Sequence, residues 1–292
     1  MSAASPRRTG EWPLTLPSIL WLAVLVLLPT LIVFMVAFKP GDPYGGVGAG
    51  WTLDGVKGLA RGSYLAIGWR TVVLSLLTTA FCLLLATPTA YFMARAERRW
   101  RRTLLLLVVV PFWTSFLVRI FAWKVLLHPE GLVKRALAAL HLVSPNATLL
   151  YNPGAVLLVM VYTSLPFAIL PIYAAAERFD FSLLEAARDL GARPLRSFWW
   201  VFVPGIRMGL ASAALLVFIP SLGSYIIPDI VGGPNGEMIG NVIAQRVFSD
   251  RNLPNASALS ALLTLVVLAP MLAALVLRSR QDELAPPGAG RP

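Results

Sequence analysis

The chain has 292 residues, 57% of them hydrophobic and 13% charged, with a mean hydropathy of +0.72, whereas ordinary soluble domains run at ~45–50% apolar and ~25% charged. That balance excludes a water-soluble globular domain, and the lone cysteine, Cys82, excludes an intrachain disulfide or a thiolate metal cluster. The net charge of +11 does not point to nucleic acid, because the basic residues lie between apolar runs, where they set membrane topology.

Six apolar runs follow in chain order: Ile19 to Phe38, Thr71 to Met93, Thr103 to Leu127, Ala155 to Ala176, Met208 to Ile230 and Ala258 to Leu277. About 20 apolar residues cross a bilayer as helix, and lipid offers the backbone no hydrogen bonds, so each run predicts a transmembrane helix. The first run follows Arg7 and Arg8 as a signal peptide would. It is too long for one and lacks a small-residue cleavage site, so a retained span is expected. The fold class is therefore all-α integral membrane, divided into an N-terminal segment 1–18, a six-span domain 19–277 and a tail 278–292. The tail, rich in proline and glycine from Gln281 onward, is expected to be disordered.

Lysine and arginine fix the orientation. One side carries 14 of them, in both termini and in the loops around Arg95 to Arg102 and Arg178 to Arg196; the other side carries 7. Both termini and the 177–207 loop are therefore expected in the cytoplasm. Every span contains proline, which removes a ladder hydrogen bond and favours a kink, although proline is also commoner in membrane helices generally. Between the third and fourth spans, Leu132, Val133, Ala136, Leu137 and Leu140 share a helical face, opposite Lys134 and Arg135. That pattern predicts a short helix at the outer membrane surface.

The 177–207 loop is a polar interruption, and its spacing is informative. Ser182-Leu183-Leu184-Glu185 has capping-box spacing, Gly191 is placed to end the resulting helix, and Pro194 can open a second one. The expectation is a helix-turn-helix outside the bilayer, its small face formed by Ala186 and Ala187. By physics alone it serves equally well as a cover for the spans or as a docking surface.

The pattern Glu185-Ala186-Ala187, three residues, Gly191, nine residues, Val201-Phe202-Val203-Pro204 resembles the EAA motif of ABC-importer permeases. Valines stand at 201 and 203 where that family usually has isoleucine and leucine, which keeps the apolar character. Pro111-Phe112-Trp113-Thr114-Ser115-Phe116, Tyr162-Thr163-Ser164-Leu165-Pro166-Phe167, Phe218-Ile219-Pro220-Ser221-Leu222-Gly223 and Ile227-Pro228-Asp229 are similar to stretches of the spermidine/putrescine permease subunits, B-type. Related permeases for ferric iron, thiamine and opines share parts of them.

The resemblance implies a MetI-like permease fold in a bacterial inner membrane, with Glu185, Ala186, Ala187, Gly191 and Pro204 coupling to an ATPase. The implied partners are two ABC ATPase subunits, a second permease subunit, a periplasmic solute-binding protein and a polyamine or other small solute. It implies no cofactor and no metal. No Walker A sequence and no nucleophile with a base is present in the chain, so ATP hydrolysis is assigned to a partner.

For the substrate path the residues leave alternatives open. Asp229, after Pro228 at the end of the fifth span, could pair with an ammonium group, with Tyr225, Trp113 and Trp123 offering ring faces. It could equally cap a helix break or pair with Arg119, the aromatics then forming an interfacial belt. Arg119 and Lys124 lie late in the third span, where snorkelling or helix pairing is the simpler expectation. An ion-driven transporter would need ionisable pairs at mid-span, and mid-span acids are missing.

Overall fold

The computed structural model describes residues 12–42, 45–59, 62–141, 143–144 and 147–284. The described residues are helical and contain no strand beyond an isolated bridge between Gly41 and Val47. The helices are α1 (Trp12–Val36), α2 (Asp54–Gly58), α3 (Gly62–Arg95), α4 (Arg98–Val109), α5 (Phe116–Leu127), α6 (Leu132–Ala139) and α7 (Pro153–Glu177). They continue as α8 (Ser182–Asp189), α9 (Pro194–Ser197), α10 (Val203–Gly205), α11 (Arg207–Leu222), α12 (Ile239–Phe248) and α13 (Leu253–Leu284). Residues 1–11 and 285–292 lie outside the described part, and with them Arg7, Arg8, Arg291 and most of the expected tail. Of that tail, residues 281–284 belong to α13, so its expected disorder does not begin at Gln281.

The chain divides into two compact units, 63–242 and a second built from the two chain ends. In the terminal unit α1 runs beside α13, which also touches α2. Between α1 and α2 the chain turns through Gly45, Gly46 and Gly50, all at positive φ, in keeping with the irregular connection that their glycine content predicts.

In the larger unit, α3 presents one buried stripe of Thr71, Ser75, Thr78, Cys82, Ala86 and Ala90. Small side chains let neighbouring helices approach closely where no hydrophobic effect drives them together. The hydroxyls of Thr71 and Thr78 donate back to the carbonyls of Ile67 (2.8 Å) and Leu74 (2.7 Å), which satisfies them without water. Thr71 Oγ1 also accepts the Ile239 N–H at 2.9 Å and so ties the start of α12 to α3. The broadest packing is α7 against α11. It requires Gly209, where a Cβ would stand 2.5 Å from Ala175 Cβ and 3.0 Å from the Pro171 carbonyl.

The expected spans meet the structure unevenly. Thr15–Val36, Ser63–Arg95 and Pro153–Glu177 are continuous helices long and apolar enough to cross a membrane, and counting two bent pairs as spans raises the total to five. The third expected span, Thr103 to Leu127, is not one helix. It breaks between α4 and α5 with an 88° bend, because Pro111 brings no N–H and the chain tightens into a 3-10 turn over Val110–Trp113. Thr114 then turns extended (ψ 152°) and its hydroxyl takes the Pro111 carbonyl at 2.7 Å.

The fifth expected span is also shorter than the run Met208 to Ile230. α11 ends at Leu222, and Pro228–Gly232 forms a separate π-helical turn. A 74° bend separates Pro194–Gly205 from α11. The sixth expected run, Ala258 to Leu277, lies within α13, and α6 forms where the apolar stripe of 132–140 places it.

Candidate functional site: a docking loop and an aromatic wall cavity

The 177–207 loop folds as a helix-turn-helix, but its first helix is capped differently from the sequence expectation. Ser182 is the first helical residue of α8, not its cap, and its N–H donates to Asp180 Oδ1 at 3.0 Å. Asp180 thus caps the helix, and hydrogen bonds from the Ser182 hydroxyl and N–H hold its carboxyl below the ordinary value. Because capping falls to Asp180, Glu185 has no role in it. The Glu185 carboxylate is exposed in the first turn and makes no bond with any described residue.

The C-terminal end follows the expectation. Gly191 N–H donates to the Arg188 carbonyl at 2.8 Å and Ala192 N–H to the Ala187 carbonyl at 3.0 Å, a Schellman closure with Gly191 at φ +88°. A Cβ at Gly191 would meet nothing within 4 Å, so only backbone strain opposes substitution. Gly191→Ala is expected to cost about 1–2 kcal/mol, visible as at least about fivefold faster amide exchange over residues 190–192.

Leu184 is buried beneath α8, whereas Leu190 is 90% exposed and Leu183, Leu195 and Pro204 also face outward. Ala186 is exposed and Ala187 half-buried. Outward-facing apolar side chains thus lie beside small residues and an exposed carboxylate on one loop, an apolar patch of the kind that marks interaction surfaces.

Under this surface lies a feature that spacing alone did not reveal. Phe198–Phe202 forms a π-helical turn, which drives Phe202 into full burial. Phe202 sits 4.9 Å from the Tyr91 ring of α3, 5.2 Å from Phe179 and 5.4 Å from Phe198. Tyr91 packs edge-on to Phe198 at 5.2 Å, and the Arg95 guanidinium lies 5.6 Å over the Tyr91 ring. A cluster of aromatic rings therefore roots the loop on α3. Beside it, Tyr173 OH donates to Glu177 Oε1 (3.2 Å), which pairs with Arg101 of α4 at 3.7 Å.

The second candidate site is a cavity of about 360 Å³ whose walls come from α5, α7, α11 and the chain after α11. Phe116, Phe167 and Tyr225 line it together with the hydroxyl-bearing Thr163, Ser164 and Ser221. Of the residues expected to form a substrate path, Tyr225 is in this wall; Asp229, Trp113, Trp123 and Arg119 are not. Asp229 is exposed on the π-helical turn, its N–H donating to the Tyr225 carbonyl at 3.1 Å, and no Arg119–Asp229 pair exists among the described residues. Trp113 is exposed, and Trp123 packs edge-on to Tyr162 at 5.4 Å.

Arg119 packs against an aromatic ring on the far side of the helix break. Its guanidinium folds back across the Thr114–Ser115 break and lies 4.3 Å over the Phe112 ring, with Nε and Nη1 buried. Phe116 and Phe167 of the cavity wall, and the stacked Phe112 and Tyr162 outside it, are aromatic residues that the path expectation did not name. The i, i+4 spacing of Phe112 and Phe116 was a visible hint, but an 88° break decides which rings meet.

An apolar multi-helix chain with an exposed apolar loop and an open cleft between its helices fits the class that the family match defines: the membrane-embedded subunit of a transporter. The chain belongs to the family of binding-protein-dependent transport system inner membrane components, whose profile matches residues 86–282. It is thus a permease subunit of an ABC importer and a multi-pass membrane protein. It is 36% identical over 247 residues to the spermidine/putrescine transport system permease protein PotB of Haemophilus influenzae, covering 85% of this chain and 86% of that one. It is 35% identical to PotB of Escherichia coli (85% and 90% covered) and 31% identical over 278 residues to the inner membrane ABC transporter permease protein YdcU of the same organism (90% and 88% covered). Among solved structures, a bacterial alginate ABC transporter in complex with an alginate pentasaccharide-bound periplasmic protein matches at a TM-score of 0.68 and 18% identity, covering 90% of this chain and 93% of that one. At that identity the likeness concerns the fold alone.

Proposed function

We propose that this permease subunit carries polyamines of the spermidine and putrescine class. The observation that carries the reading is its 36% and 35% identity, across 85% of the chain, to two permeases named for those substrates. The aromatic and hydroxyl lining of the wall cavity supports it, since methylene segments suit apolar walls and ammonium groups suit ring faces and hydroxyls.

On this reading the chain crosses the inner membrane six times, the bent pairs and α13 completing the count, with both termini and the 177–207 loop in the cytoplasm. A second permease subunit encloses the path, two ATPase subunits sit beneath it, and a periplasmic binding protein delivers the solute. Glu185, Ala186, Ala187, Gly191 and Pro204 form the surface that enters a groove of the ATPase. Closure of the ATPases on ATP moves that surface, and the aromatic cluster around Phe202 passes the motion to α3. The path runs over the face bearing Tyr225, Trp113 and Trp123, with Arg119 on it and Asp229 at its rim.

The test is uptake of spermidine into proteoliposomes holding the full transporter and supplied with its binding protein. ATP-dependent, vanadate-sensitive accumulation is expected. Accumulation of a different solute with no competition from spermidine or putrescine would refute the substrate, and vanadate-insensitive uptake would refute the mechanism.

A further inference from the structure

We propose that the ring faces around Arg119 form a cation-binding site for alkylammonium groups, and that Arg119 fills it in the empty protein as a tethered stand-in which an arriving ammonium displaces. The inference rests on the polyamine reading for its ligand, but its argument comes from the geometry of α5.

The Arg119 guanidinium lies 4.3 Å from the Phe112 ring centroid and 5.8 Å from that of Phe116. Its Nε and Nη1 are buried and have no hydrogen-bond acceptor, and no carboxylate pairs with it among the described residues. Buried N–H groups of a guanidinium normally find a carboxylate or carbonyl oxygen. Here ring quadrupoles are what face the charge. These faces therefore already hold a cation, and they hold it loosely.

The rings are continuous with the cavity. Phe112 stacks on Tyr162 at 6.3 Å, and Tyr162 meets Trp123 at 5.4 Å. Phe116 is the shared element, since it lies under Arg119 and also lines the cavity with Phe167 and Tyr225. An alkylammonium whose methylenes occupy the apolar cavity brings its charge to Phe116, and two cations that close repel each other in a medium of low dielectric. Occupancy is thus exclusive. Displacement is also balanced, because a guanidinium that swings out hydrates the two N–H groups left without acceptors inside.

The site is tested on the assembled transporter in nanodiscs of zwitterionic lipid, without binding protein, by equilibrium binding of labelled spermidine. Arg119→Gln removes the competing charge and is expected to tighten binding about fivefold, as when a competing closed state is removed. Arg119→Lys keeps a competing cation and should stay near wild type. Phe116→Leu removes the shared ring and should weaken binding about fivefold. Weaker or unchanged binding in an assembled Arg119→Gln transporter would overturn the proposal. Should that variant fail to assemble, unchanged binding by Phe116→Leu overturns it instead. Wild-type uptake of spermidine reports separately on the substrate: uptake with unaltered binding in the variants leaves the polyamine reading standing and removes the stand-in, whereas no uptake removes both.

Discussion

Glu185→Lys is expected to abolish ATP-driven uptake while leaving the subunit folded and able to pair with its partner permease. Glu185 is exposed in the first turn of α8 and bonds to no described residue, so its replacement removes no internal contact. The fold loses only the favourable interaction of an acid with the helix N-terminus, ~0.3–1 kcal/mol. The cost falls on docking. If the carboxylate enters a groove of the ATPase and meets donors there, leaving those donors unpaired costs about 2–5 kcal/mol, or about thirty- to several thousand-fold in affinity, and a reversed charge adds repulsion. Co-purification of the ATPase subunits and vesicle uptake measure the two consequences. Normal ATP-dependent uptake by this variant would count decisively against the loop as the coupling element.

Phe202→Ala is expected to have the largest effect on the loop's stability. Phe202 is fully buried among Tyr91, Phe179 and Phe198, and truncation of a buried phenylalanine costs about 3–5 kcal/mol. The loss is local, because the ring is central to the cluster that seats the loop on α3. Phe202→Ala should therefore leave α7 and α11 paired while raising proteolysis and amide exchange over residues 182–205. ATPase activity would then proceed without transport. Retention of both protection and transport would show that the aromatic cluster neither seats the loop nor carries its motion. Phe202→Leu, which keeps much of the volume, should recover a large share of both readouts.

These two residues illustrate different kinds of legibility. The helix that carries Glu185 could be read from spacing, because a helix start, two small residues and a stopping glycine are local features that a linear pattern contains. The same pattern misassigned the cap, giving to Ser182 and Glu185 a task that Asp180 performs two residues earlier. Phe202 was legible only as an apolar position. Its burial depends on a π-helical turn and on a ring from α3 more than a hundred residues away, and no local rule carries that pairing.

The sequence by itself determined the medium and the element type. Apolar runs of about 20 residues must become helices in lipid, since backbone groups there find no other partners. It also determined the position and closure of the 177–207 helix-turn-helix, because a glycine at 191 takes φ +88° without strain. Tertiary structure decided where the third and fifth runs break and which rings gather at the wall. A proline removes one hydrogen bond wherever it stands, yet α3 carries Pro88 within a continuous helix while the chain breaks at Pro111. What differs is the continuation: after Pro111 the backbone leaves the helix, Thr114 turning extended with its hydroxyl donating to the Pro111 carbonyl, and the resulting turn brings Phe112 over Arg119.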